Sequence, residues 1–222
     1  MDKLQYKNKE EFYNLHEKIG SYNLAEYYKF FPKKMCNGNR ILDIGCGEGN
    51  DMKYFKTLGA EVCGIDINPI ATEIAKKELK LDDNFVKTSE ANSLLFKNNS
   101  FDIASSNYVL QAIPDIAVVY KETARVLKQG GKFIFLATHP MRQYFEKKNS
   151  NSDYFNQETV DSVILNGTVT VQEPTHTFND YFSEYFLKHF KIEKFIELHD
   201  PTAEKVDGRK YPGFFIVSCV KI

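Results

Sequence analysis

Cysteine is scarce and unpatterned: Cys36, Cys46, Cys63 and Cys219 show no CxxC spacing and no neighbouring histidine pair. The sequence therefore suggests neither a zinc site nor a disulfide framework, and no metal is expected. The four read as small buried apolar side chains. An excess of charge of one sign is also lacking. Lys and Arg number 29 against 30 Asp and Glu, a formal net charge of −1, so no global field gathers polyanions and a nucleic-acid partner is not expected. No segment reaches the roughly 18 apolar residues of a membrane span. The start, MDKLQYKNKEEF, interleaves charges with single apolar residues where a signal peptide needs an apolar stretch. The expectation is a cytoplasmic protein without membrane contact, and monomer and homodimer stay equally open.

What is present supports a folded core. The chain has 222 residues, 42% hydrophobic and 27% charged, which suits one domain over residues 1–222. Short β-like runs alternate with longer helical ones. The strands are RILDI (40–44), EVCGID (61–66), NFVKTS (84–89), SFDIASS (100–106), KFIFLAT (132–138), KIEKFIEL (191–198) and GFFIVSCVKI (213–222). Helices are expected in NDMKYFKTLG, in PIATEIAKKELK with Ile70, Ile74 and Leu79 on its buried face, in DIAVVYKETARVLK stopped by Gly130-Gly131, and in HTFNDYFSEYFLKHF. Strands spaced by helices imply right-handed crossovers and a parallel sheet covered on both faces. The last two strands, joined by an ordinary loop, pair most easily antiparallel.

Residues 139–176 break this rhythm. They are rich in Asn, Ser, Thr and Tyr with weak helical or strand signals, and read as an insertion covering the sheet's C-terminal edge. Residues 1–35 hold two aromatic-rich helical segments, EEFYNLHEKIG and SYNLAEYYKFF. These are either flank packing or a lid that brings Tyr22, Tyr27 or Tyr28 over a ligand.

Residues 41–50, ILDIGCGEGN, place Gly45, Gly47 and Gly49 directly behind the first strand. Ligands of doubly wound sheets bind at such a turn, where glycine lets the backbone approach closely and the next helix offers free N–H groups. A dinucleotide fingerprint needs a sixth-position glycine, but counting from Gly45 that position is Asn50. No Gly-Lys-Ser/Thr follows either, and Asp43 beside the loop would repel phosphate while suiting a cation. Asp66, ending the second strand, is placed to accept from a ribose diol, its alternative being a helix cap before Pro69. Glu90 and the Ala91 backbone follow the third strand and suit a purine edge, although a solvated loop glutamate would look the same. Together these describe a nucleoside with a positively charged 5′ substituent.

In order and spacing, LDIGCGEGN, GIDIN, SEANSLLFKNNSFD, SSNYVLQAIPD and ETARVLKQGGKFIF resemble the successive motifs of the class I S-adenosylmethionine-dependent methyltransferases, from about residue 38 to 138. The resemblance implies a Rossmann-like, doubly wound seven-stranded sheet of order 3-2-1-4-5-7-6 with the last strand antiparallel. It implies S-adenosylmethionine as cofactor and S-adenosylhomocysteine as product. Gly45, Cys46 and Gly47 would serve the methionine portion, Asp66 the ribose, Ile67 the adenine face, and Glu90, Ala91 and the adjoining Asn92 the adenine edge. Asn107, Tyr108 and Gln111 would lie under the methionine and the transferred methyl. Two features depart from relatives: Glu90 stands where many have Asp, and SSNYVLQ replaces the Asn/Asp-Pro-Pro-Tyr typical of enzymes that methylate nucleobase amines.

Methyl transfer from a sulfonium is an in-line displacement, in which alignment does most of the work and a base matters only if the acceptor must lose a proton. His139, directly after the fifth strand, and His176, ending the insertion, are the candidate bases, with Tyr22 from the lid as a third catalytic candidate and a cofactor contact. Arg142 and Arg209 are candidates for a substrate carboxylate. Tyr144, Phe145, Tyr154, Phe155 and Phe178 form either an apolar pocket or the core of a small cap. The leading expectation is methylation of a small molecule at oxygen or nitrogen. A non-catalytic nucleoside-binding regulatory or assembly protein is the alternative, and a nicotinamide-dependent oxidoreductase is disfavoured by Asn50.

Overall fold

The structure, a computed structural model, describes residues 22–147, 152–164, 169–200, 206 and 208–222. The segment EEFYNLHEKIG lies outside the described residues. In chain order the elements are α1 (Tyr22–Tyr28), α2 (Lys33–Cys36), β1 (Arg40–Ile44), α3 (Asn50–Thr57), β2 (Glu61–Asp66), α4 (Pro69–Leu79), β3 (Val86–Thr88) and β4 (Phe101–Asn107). A 3₁₀ turn (Leu110–Ala112), α5 (Ile116–Val126), β5 (Leu127–Thr138) and α6 (Pro140–Lys147) follow. Then come β6 (Thr159–Ile164), β7 (Val169–Pro174), α7 (Phe178–Tyr181), α8 (Glu184–His189), β8 (Phe190–Leu198) and β9 (Phe214–Lys221).

Seven strands form one sheet in the order β3-β2-β1-β4-β5-β9-β8, and β6 and β7 pair separately. Without that hairpin in the count, the order is the expected 3-2-1-4-5-7-6. β9 runs antiparallel to both its neighbours, while the five strands from β3 to β5 are parallel. The alternation of side chains across each strand divides the core. Leu42, Ile44, Ala104, Phe133 and Phe135 face α5, α7 and α8. Ile41, Ile103, Ile134 and Leu136 face α1 to α4. Asp43 and Ser105 share this second face by the same alternation, so a carboxylate enters the core beside Tyr27 of α1, itself fully buried.

Four local expectations change. In α4 the buried face is Ala71, Thr72, Ala75 and Leu79, whereas Ile70 is exposed; small residues let the helix press against the glycine loop, where a Cβ at Gly49 would lie 3.2 Å from the Ala75 Cβ. Helix α5 ends at Val126, and Gly130-Gly131 falls inside β5. Phe101 pairs with Leu127 and Ile103 with Lys132, so residues 128–131 bulge from the ladder, with Gly130 at φ +73°. The single helix expected over 176–190 is two, because Thr177 caps α7 with a capping box and the Ser183 side chain caps α8. The insertion is not irregular: it holds α6 and an antiparallel hairpin in which Thr159 faces Pro174 and Ser162 faces Val171.

Candidate functional site

The chain leaves β1 through Gly45 at φ +77° and re-enters helix at Gly49, the N-cap of α3, at φ +87°. The amides of Gly45 and Cys46 both donate to the Ile65 carbonyl at 2.8 Å, folding the loop across the end of β2. Gly47 N–H donates to Asp66 Oδ2 at 2.9 Å, and Asn68 N–H to Asp66 Oδ1 at 2.8 Å. Asp66 therefore ties the loop down. It is not the cap of α4: that role belongs to Asn68, whose Oδ1 accepts from Ile70 and Ala71. No side chain fits at Gly45, where a Cβ would sit 2.2 Å from Val109 Cγ2.

Two carboxylates line the loop's inner side. Asp43 is 2% exposed, and burial, reinforced by the nearby charge of Asp51, raises its pKa well above the ordinary carboxylate range, against the stabilising hydrogen bond from Ser105. Asp51, in the first turn of α3, accepts from Tyr28 OH at 2.7 Å and from Asn107 Nδ2 at 3.0 Å. Asn107 Oδ1, on the same carboxamide, is buried without a hydrogen-bond partner. Burial also raises Asp66, with its backbone amide donors opposing the shift. The Cys46 thiol is pushed well up by burial and stays protonated.

Along the same edge, Ile67 is 43% exposed. Glu90 Oε2 accepts from Asn92 Nδ2 at 3.0 Å, with Ala91 half-buried between them. Past β4, Tyr108 takes φ +54°, a left-handed conformation costly for a bulky residue and common at functional positions. Its hydroxyl accepts from Asn23 Nδ2 at 2.7 Å, and the same nitrogen donates to Asp200 Oδ2 at 3.1 Å. Gln111 is buried, with Oε1 unpaired.

The remaining candidates sit elsewhere on the carboxyl edge. Tyr22 lies edge-on to Phe214 at 6.2 Å, and Phe214 pairs with Thr138 at the end of β5. His139 is buried with both nitrogens engaged: Nδ1 accepts from Met141 N–H at 3.0 Å and Nε2 lies 2.7 Å from Glu197 Oε1. Burial lowers its pKa, against the carboxylate's pull. His176 is 2% exposed. Its Nδ1 faces Gln157 Nε2 at 3.4 Å, while Nε2 is buried without a hydrogen-bond partner. Burial lowers its pKa too. His139 has no free nitrogen, whereas His176 keeps Nε2 buried and unpaired. Arg142 is not poised for a substrate carboxylate, since its guanidinium binds Glu146 at 2.9 Å and Asp200 at 2.8 Å.

Residues 42–135 match the family model described as "Methyltransferase domain". The sheet around these residues has the fold of solved S-adenosylmethionine-dependent methyltransferases. A solved S-adenosylmethionine-dependent methyltransferase from Mesorhizobium loti superposes with a TM-score of 0.71 at 21% identity, over 90% of this chain and 98% of that one. The chain is 37% identical to the sterol 4-C-methyltransferase strm-1 of Caenorhabditis elegans over 97 residues, 42% of this chain and 29% of that protein. It is 35% identical to the demethylmenaquinone methyltransferase of Staphylococcus haemolyticus over 105 residues, 46% of this chain and 44% of that protein. The chain spans less than half the length of each of these two relatives.

The residues around the glycine loop fit a nucleoside with a cationic tail such as S-adenosylmethionine. A cation beside Asp43 and Asp51 would offset the burial and mutual repulsion that raise Asp43, and the unpaired Asn107 Oδ1 calls for a hydrogen-bond donor. A pyrophosphate would meet the same two carboxylates with like charge. Asp51, Tyr28 and Asn23 complete the pocket, and of these the sequence points to Tyr28 alone, as a tyrosine of the expected lid. Asp51 carries one weaker signal, an acid in the first turn of the helix behind the glycine loop; Asn23 is placed by tertiary packing. Among the described residues no helix is long and apolar enough to cross a membrane.

Proposed function

We propose that this protein moves the methyl group of S-adenosylmethionine to a small-molecule acceptor in the cytoplasm. The observation that carries the reading is the glycine loop closed by Asp66 and lined by the buried Asp43 and Asp51, a surface for a nucleoside with a cationic tail. In this reading Asp43, Asn107 and the Gly45–Gly47 backbone hold the methionine end. Asp66 keeps acceptor capacity for the ribose diol, because each carboxylate oxygen has two lone pairs and gives one to an amide. Ile67 covers the adenine face, and Glu90 with the Ala91 amide reads the adenine edge. When bound, the cofactor supplies an electrophilic methyl on a sulfonium. The chain orients the acceptor: Tyr108 and Gln111 border the reacting region, and residues 1–35 and the insertion 139–176 enclose it.

Oxygen or nitrogen is the proposed acceptor atom. Since His139 is engaged at both nitrogens and burial lowers the pKa of both candidate histidines, the reading favours a nucleophile that needs no histidine to lose its proton before attack, such as a neutral amine or an already ionised oxygen. A carbon acceptor is the second reading, supported by the name of the nematode relative, a sterol 4-C-methyltransferase. The test is incubation of the purified protein with methyl-labelled S-adenosylmethionine and fractionated small-molecule extracts, with wild type compared against Asp66→Ala. Label transfer with release of S-adenosylhomocysteine, lost in the variant, supports the proposal. Donor binding without turnover on any fraction favours the non-catalytic alternative.

A further inference from the structure

A second concave site lies on the insertion's side of the 3₁₀ turn. We infer that this cleft anchors a cationic group of the acceptor, an organic ammonium joined to an aromatic or apolar body; the inference rests on the methyltransferase reading above. The cleft encloses about 440 Å³ between the Pro114–Asp115 loop and the insertion, within the roughly 300–1,000 Å³ of small-molecule sites.

Its chemistry selects charge. Tyr154 and Phe155 stand edge to face with centroids 5.2 Å apart, and Phe155 is 71% exposed, an aromatic surface that water covers poorly and a cation covers well. Asp115 commits Oδ1 to the Ala117 amide, and Asp180 commits Oδ2 to the Thr177 amide and hydroxyl. Each keeps its other oxygen, and neither forms an ion pair with Lys or Arg among the described residues. No basic side chain lines the cleft, so an anion would meet two carboxylates unrelieved. Aromatic faces combined with unneutralised carboxylates are the physical recipe for an ammonium ion.

The cleft also connects to the donor side. The Gln157 carboxamide spans Pro114 O at 3.1 Å and His176 Nδ1 at 3.4 Å, and the His176 ring lies beside the backbone of Gln111 and Ile113. Gln111 belongs to the turn that follows Asn107 and Tyr108, so cleft and donor pocket lie on two sides of one short turn. A nitrogen held there as an ammonium has no lone pair. It anchors the acceptor, and the reacting atom lies elsewhere on the same molecule.

The experiment is an amide-resolved NMR titration of the full chain, saturated with S-adenosylhomocysteine, with benzylamine, benzyl alcohol and benzoate at neutral pH. The expected result is saturable shifts at residues 115, 155–157 and 180 for benzylamine, with benzoate at least about tenfold weaker. Asp180→Asn is expected to weaken benzylamine several-fold. Because Asp180 also caps α7, Phe155→Ala, which removes an exposed ring, is the second variant and is expected to weaken it similarly. Equal binding of benzoate and benzylamine, shifts confined to other surfaces, or no effect of either variant overturns the inference. Benzylamine binding in a protein that does not bind S-adenosylhomocysteine overturns the acceptor role and the methyltransferase reading together, whereas S-adenosylhomocysteine binding without charge preference in the cleft overturns this inference alone.

Discussion

Replacing Gly45 by alanine separates two physical demands that the loop makes. The residue sits at φ +77°, and the added Cβ would lie 2.2 Å from Val109 Cγ2. Holding a residue with a Cβ in the left-handed region costs about 1 to 2 kcal/mol. Displacing Val109 from a packed position adds an overpacking penalty of about 1 to 3 kcal/mol. Gly47 is the internal control: it has φ +50°, but nothing lies within 4 Å of a Cβ there, so Gly47→Ala bears only the backbone cost. At about 2 to 4 °C per kcal/mol for a chain of this size, Gly45→Ala should lower Tm by about 5 to 15 °C and Gly47→Ala by about half as much or less. Thermal melts followed by circular dichroism measure both. Val109→Ala in the Gly45→Ala background should cost less than the sum of the two single changes, since the obstructing methyl groups are gone. Equal Tm losses at the two glycines, or strict additivity with Val109→Ala, would refute the steric argument.

Further predictions concern the acids and the polar links. Asp66→Asn loses charge-assisted acceptance from the diol, so calorimetry should show S-adenosylhomocysteine binding weakened by about 10- to 100-fold; an unchanged affinity would remove Asp66 from the ribose role. Asp43 has a folded-state pKa raised above its unfolded value, so the native state binds more protons and stability falls as pH rises from the ordinary carboxylate range through the folded pKa. Denaturant titrations across that window should show this fall in wild type and a flatter profile in Asp43→Asn, and identical profiles would contradict the assignment. Asn23→Ala strips a donor from both Tyr108 OH and Asp200 and should cost about 1 to 3 kcal/mol. A double-mutant cycle with Tyr108→Phe should show a coupling of about 0.5 kcal/mol or more, and zero coupling would mean that the link is geometric only.

How much of this was legible in the sequence depended on how local the cause was. RILDI, EVCGID and GFFIVSCV are runs whose buried faces and bounding turns lie within a few residues, so the sheet and the place of its glycine loop could be read directly. The hairpin in the insertion has a local signal in the sequence: Asn166-Gly167 between two stretches rich in valine and threonine is a strong short-range hairpin marker. Ser183 likewise marked a second helix start inside what reads as one amphipathic run. The site divides the same way. Gly45, Asp66 and Glu90 announce themselves by position after a strand. The engagement of His139 by Glu197, 58 residues away, and of Asn23 by Asp200, 177 residues away, exists only once β8 and α1 have packed. His139 looks free in the sequence and is bound here by such a long-range partner.

The pocket at the head of β1 is expected to prefer a nucleoside with a cationic tail over one bearing phosphates. Parallel calorimetric titrations of the folded chain with S-adenosylmethionine, S-adenosylhomocysteine and NAD address it most directly. Saturable binding of the first two, with none for NAD, is the predicted result. NAD binding of comparable strength, or silence from both sulfur nucleosides, would contradict it.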